Sequence, residues 1–155
     1  MGEGTKDFFL ELVTNRVLMS AIAAWAIAQG TKIAIEFIKH GVSLKRLAGC
    51  GGMPSAHGAT VTGLATAALI VCGPGSAEFP IAMFFAIIVI YDARNVRYET
   101  GRQAAALNRL RQERIQEGKD ELYPAPMEEK MGHTIPELIA GCILGAAVAA
   151  VVCLI

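Results

Sequence analysis

The sequence predicts an all-α integral membrane helical bundle, with about four transmembrane helices and an amphipathic helix outside the bilayer. Three observations predict it. Hydrophobic residues make up 54% of the chain and charged residues only 18%, where soluble domains carry about a quarter charged residues. The charges avoid four apolar stretches. Lys and Arg crowd into the two loops that four crossings would place on one side. A length of 155 residues suits a single domain, 1–155.

The first span is predicted at 17–38 (VLMSAIAAWAIAQGTKIAIEFI), long enough for a hydrocarbon core of ~30 Å. Its second half carries Gln29, Lys32 and Glu36. Lys32 and Glu36 stand one helical turn apart and can pair, and polar groups at that depth either line a polar cavity or emerge among headgroups. The second span is predicted at 54–72, opened by Pro54 and rich in small residues such as Gly58, Ala59 and Gly63 that permit close helix approach. A Gly73-Pro74-Gly75-Ser76 turn follows. The third span, 79–97, is short in apolar residues and reaches full length only by continuing into its polar end. The fourth, 136–155, holds one charge, Glu137, and a Gly141-x-x-x-Gly145 spacing that offers a packing face within the bundle or in a homo-oligomer. Between the last two lies a polar loop, 98–134. Within it, Ala104, Leu107 and Leu110 share a helical face among Arg102, Arg109, Arg111 and Arg114, until Pro124 and Pro126 break the pattern.

Four crossings put both termini on one side with Lys6 and Arg16. The other side takes Lys39, Lys45, Arg46, Arg94, Arg97, Arg102, Arg109, Arg111, Arg114, Lys119 and Lys130, which makes it the cytoplasmic side. Met1 to Asp7 carry mixed charge, so no cleavable leader is expected. A formal net charge of zero argues against a nucleic-acid partner. Cys50, Cys72, Cys142 and Cys153 form no CxxC pair, and the last three lie in apolar runs as small hydrophobes.

Four polar clusters fall at the cytoplasmic ends of the spans: Gln29–Lys32, Gly51–His57, Tyr91–Arg97 and Gly132–Glu137. Together they hold what a phosphate ester needs. Lys32 and Arg97 offer positive charge. Gly51, Gly52 and the start of span two offer backbone N–H groups, and Ser55 a hydroxyl. Two histidines, His57 and His133, can divide nucleophilic attack and proton donation. Glu137 lies four residues after His133, on the same helical face, where its carboxylate can orient the ring. Asp92 is read as a salt-bridge partner of nearby cations. His40, in a basic loop, is read as solvated.

GGMPSAH, YDARNVRYETGRQAAALN and MGHTIPE resemble the signature segments of the divergent type-2 phosphatidic acid phosphatase family, related to acid phosphatases and vanadium-dependent haloperoxidases. The resemblance runs from about Asn15 to Gly145. Pro54-Ser55-Ala56-His57 resembles the superfamily's Pro-Ser-Gly-His element, which implies that His57 is the general acid. His133 with Glu137 resembles its His-x-x-x-Asp element, which implies that His133 is the nucleophile and forms a phosphohistidine. Lys32 matches the phosphate-binding lysine. The superfamily's Arg-Pro pair after that lysine and its Ser-Arg pair before the nucleophile are missing, with Pro126 and Met127 standing at the latter. Arg97 and Arg102 are the basic side chains expected to replace them.

The resemblance implies a membrane-bound, metal-independent phosphatase without a cofactor, acting on a lipid phosphomonoester such as phosphatidylglycerol phosphate or phosphatidate. The alternatives are a polyprenyl phosphate or diphosphate as substrate, or a non-enzymatic protein that binds anionic lipid headgroups. The expected location is the bacterial inner membrane with the site facing the cytoplasm, and the expected partners are membrane lipids and the lipid phosphate.

Overall fold

Long apolar runs free of internal proline favour helices that satisfy every backbone polar group within one segment, as a bilayer requires. The computed structural model describes residues 3–40, 52–121, 123–129 and 131–155, and within them the chain forms α-helices and no strand. They are α1 (Glu3–Thr14), α2 (Arg16–His40), α3 (Ala56–Val71), α4 (Glu78–Tyr91), α5 (Arg97–Gln116) and α6 (Ile135–Leu154). A π-helical turn, Asp92–Val96, joins α4 to α5. α2, α6 and the continuous helix Glu78–Gln116 are long and apolar enough to cross a membrane; α3, with 16 residues, is a shorter apolar helix. The predicted membrane bundle is therefore what the chain forms. Gly51, Cys50, Lys45, Arg46 and Lys130 lie outside the described residues, as do the side chains of Lys39 and His40.

Two features differ from expectation. α1 precedes the first span, with Phe8, Phe9, Leu10, Leu12 and Val13 exposed along it. Asn15 then starts α2, its side-chain oxygen accepting the Leu18 N–H at 3.1 Å. The third span does not stop at 97 either. It runs unbroken through the π turn into α5, because the stretch Arg97–Gln116 is rich in Arg, Gln, Ala and Leu, holds no proline and has only Gly101 as a weak helix former.

α3 is the hub, packing on α2, α4 and α6, while α2 also packs on α6. Small residues make this possible. Ala24, Ala28, Ala56 and Ala59 form a buried cluster with Leu144 and Val148 against it. Gly141 and Gly145 lie directly on the backbone carbonyls of Ser55 and Ala59, leaving no room for a Cβ. The Gly141/Gly145 spacing is thus used inside the bundle. Cys153 is buried with Ala67 and Ala149, as a small hydrophobe. Replacing Gly145 by valine should force α3 and α6 apart and lower stability by about 1–3 kcal/mol. Unfolding in detergent micelles would measure this, with Gly30→Ala, where nothing lies within 4 Å, leaving the transition in place.

Candidate active site

The site is built where α3 and α6 begin. Ser55 caps α3: its hydroxyl oxygen accepts the Gly58 N–H at 3.2 Å. Its own backbone N–H donates to the Glu137 carbonyl at 3.0 Å, tying the start of α3 to the first turn of α6. This cross-tie carries His57, two residues beyond the cap, toward His133, one residue before the cap of α6. The two imidazole centroids lie 5.7 Å apart, with the rings inclined at 62°.

Glu137 has two roles at one oxygen. Its Oε2 accepts the Thr134 N–H at 3.0 Å, half of a capping box that starts α6. The same oxygen lies 3.3 Å from Nδ1 of His133. Pro136, at the second helical position, fits without disturbing either bond, because that position needs no N–H. A carboxylate only accepts, so Nδ1 of His133 carries the proton and Nε2 keeps its lone pair. His57 is in the opposite situation. Its Nδ1 is buried with no hydrogen-bond partner among the described residues. His133 thus presents a lone pair at Nε2 toward the second ring.

His133 is buried, its side chain only 2% exposed. Its pKa lies below the ordinary 6.5, first because burial penalises the cation, and then because the charges of Lys32 and Arg97 add to that penalty; the Glu137 hydrogen bond and charge act the other way. The neutral ring is therefore the form present at neutral pH. Raising pH converts the cation to that form, so the imidazole midpoint should fall below 6.5. Removing a neighbouring positive charge relieves the penalty, so Lys32→Met should raise the His133 midpoint. Glu137→Gln removes a stabilising negative charge and should lower it. Titrating the imidazole resonances by NMR in micelles, without substrate, reads both signs.

Lys32 and Arg97 both lie close enough to act on both imidazoles. The stem of Lys32 runs along Gly52, whose added Cβ would sit 3.3 Å from the lysine Cγ; Gly52 has φ +100°, a region glycine enters freely. Lys32 does not pair with Glu36, the partner the sequence offered, since among the described residues that ion pair is absent. Arg97 faces Asp92 at 3.7 Å, so Asp92 holds a site cation, as its sequence position suggested. The structure does not bring in Arg102. It is 66% exposed and bound to Glu99 at 3.2 Å, because five residues along an α-helix turn it well away from the face of Arg97. Ser55 is fully buried and occupied as a cap rather than open to solvent. Gly51 lies outside the described residues. No group of three or more His, Cys, Asp and Glu side chains suited to a metal occurs among the described residues.

Nothing in the residue pattern signalled the π turn. There the Arg97 N–H bonds the Asp92 carbonyl, one residue further back than in an α-helix. The Ala93 carbonyl, freed from Arg97, accepts the backbone N–H of His133 at 3.1 Å. Gly132, with φ +90°, sits against it; an added Cβ would lie 3.2 Å from Tyr98 N and 3.4 Å from Ala93 O. The only signal in the sequence was a glycine beside a histidine.

Fold and site together define a helical membrane protein with a histidine pair and two cations gathered at one end of its bundle. The chain belongs to the divergent PAP2 family, which it matches over residues 13–148. It is 35% identical over 134 residues to the uncharacterized membrane protein YuiD of Bacillus subtilis (strain 168), a match covering 84% of each chain. No solved structure matches it.

Proposed function

We propose that the protein is a lipid-phosphate phosphatase that hydrolyses a phosphomonoester through a phosphohistidine. The observation that carries this reading is the His57–His133 pair, whose ring centroids lie 5.7 Å apart with the Glu137 carboxylate against Nδ1 of His133. Nε2 of His133 attacks phosphorus, forming the N–P bond as the ester P–O bond breaks. Protonated His57 gives its proton to the leaving alkoxide, which departs as the alcohol. Water then attacks phosphorus, His57 takes its proton, the N–P bond breaks and inorganic phosphate leaves. Lys32, Arg97 and the Gly51–Gly52 amides hold the phosphoryl oxygens as charge builds. Ser55 and Asp92 support the site, Ser55 through the cap of α3 and Asp92 through Arg97. Arg102 takes no part.

The site lies at the ends of the apolar helices, which supports a site at headgroup level and a lipid substrate such as phosphatidylglycerol phosphate or phosphatidate over a soluble ester. Polyprenyl phosphates share the reacting group and belong in the same screen. The Lys and Arg distribution supports reading this end of the bundle as the cytoplasmic one, and the membrane is read as a bacterial inner membrane. The test is phosphate release from lipid phosphates by purified protein in micelles containing a chelator. Release supports the reading. Headgroup binding without release from any lipid phosphate overturns it and leaves a binding protein.

A further inference from the structure

The polar segment after α5 does more than connect it to α6. It returns along α5 and is fixed to it at successive points. Asn108 uses both ends of its amide: Oδ1 accepts the Met127 N–H at 2.8 Å and the Tyr123 hydroxyl at 3.0 Å, and Nδ2 donates to the Met127 carbonyl and to Glu129 Oε1, each at 2.8 Å. Arg111 adds a bond from Nε to the Tyr123 carbonyl at 3.0 Å. About two turns before Asn108 on the same helix, Gly101 lies so near the Glu129 carbonyl that no Cβ fits between them. Beyond it the Met131 N–H donates to the Glu129 carbonyl at 3.1 Å, Gly132 sits on the π turn and the His133 N–H reaches Ala93.

We propose that this segment is a strap that sets the position of His133, with Asn108 and Gly101 as positioning residues and the π turn as its socket. The inference rests on the reading of His133 as nucleophile. Among the described residues His133 has two hydrogen-bonding anchors, Glu137 from α6 and Ala93 from the π turn. The first fixes the ring and the second fixes the backbone. The second exists only while the strap holds Gly132 against the socket. A displacement of the order of 1 Å at a reacting group can lower turnover about a hundredfold, so contacts on α5 that never touch substrate govern the attack.

Gly101→Ala separates positioning from mere structural support. Alanine is the better helix former and strengthens α5, yet its Cβ must push the strap off at Glu129. Asn108→Ala likewise keeps α5 helical while unfastening the strap, and Arg109→Ala, on the exposed side of α5, serves as control. The first readout is the ¹⁵N spectrum of the His133 ring in micelles, which reports the Nδ1–H tautomer; the second is phosphate release. Gly101→Ala and Asn108→Ala should move the ring signals away from the wild-type tautomer and lower kcat about tenfold or more, with KM within about twofold. Arg109→Ala should change neither. Ring signals that stay at wild-type shifts in both variants overturn the proposal, as does kcat within about twofold of wild type in an active enzyme. If the wild-type protein releases no phosphate, the proposed reaction falls, while the spectrum still decides whether the strap positions the ring.

Discussion

His133→Asn should lower phosphate release by at least about 10³-fold, because the residue that forms the covalent intermediate has no substitute nearby. His57, the other imidazole, has its Nδ1 buried and no carboxylate to orient it as Glu137 orients His133. Asparagine is close in size and polar, so the buried position beside Glu137 is filled and the capping box that starts α6 is untouched. Rapid quenching with a ³²P-labelled lipid phosphate makes the test specific. The wild-type protein should carry acid-labile, alkali-stable label, as a phosphohistidine does, and His133→Asn should carry none. A variant that still accumulates such label would move the nucleophile elsewhere.

The second large effect should depend on the leaving group. His57→Asn should lower turnover of a lipid phosphate by roughly 10²–10⁴-fold, the usual range for a lost general acid. An alkoxide leaves poorly without a proton, whereas p-nitrophenolate leaves without one. With p-nitrophenyl phosphate the first step should therefore be almost unaffected, while the second step, which needs a base for water, slows. The variant should show a burst of nitrophenol followed by slow turnover, with phosphoenzyme accumulating. Loss of the nitrophenol burst, with the first step slowed as much on p-nitrophenyl phosphate as on the lipid, would show that His57 holds phosphate and does not move a proton. Together the two substitutions assign the roles of the rings independently.

Much of this was legible in the residues. The apolar runs gave the helices, because uninterrupted hydrophobic length has few other outcomes at 17–38 or 136–155; three of the four are long and apolar enough to cross a membrane, and the second is shorter. The pairing of His133 with Glu137 followed from helical spacing, and the meeting of His57 with His133 from both lying at helix starts on one side. What stayed hidden was decided by contacts between segments distant in sequence. Ser55 read as a free hydroxyl because its burial depends on Gly141, more than eighty positions away. Arg102 read as a site cation because composition does not reveal which way a side chain points once the helix runs on without a break; it points to Glu99. Lys32 read as a partner for Glu36 on spacing alone, yet its stem follows Gly52. The π turn shifts register by one residue with no marker in the side chains, and Asn108 looked like any polar residue on a solvated helix until the strap lay across it.

One oxygen of Glu137 secures both the opening turn of the last helix and the ring of the attacking histidine. Loss of such a cap costs a helix only about 1 kcal/mol, so the fold tolerates its fraying. The proposed reaction would not, since the same event frees the imidazole to rotate. Phosphate release should therefore be lost before unfolding, in a preparation that keeps its full helical signature.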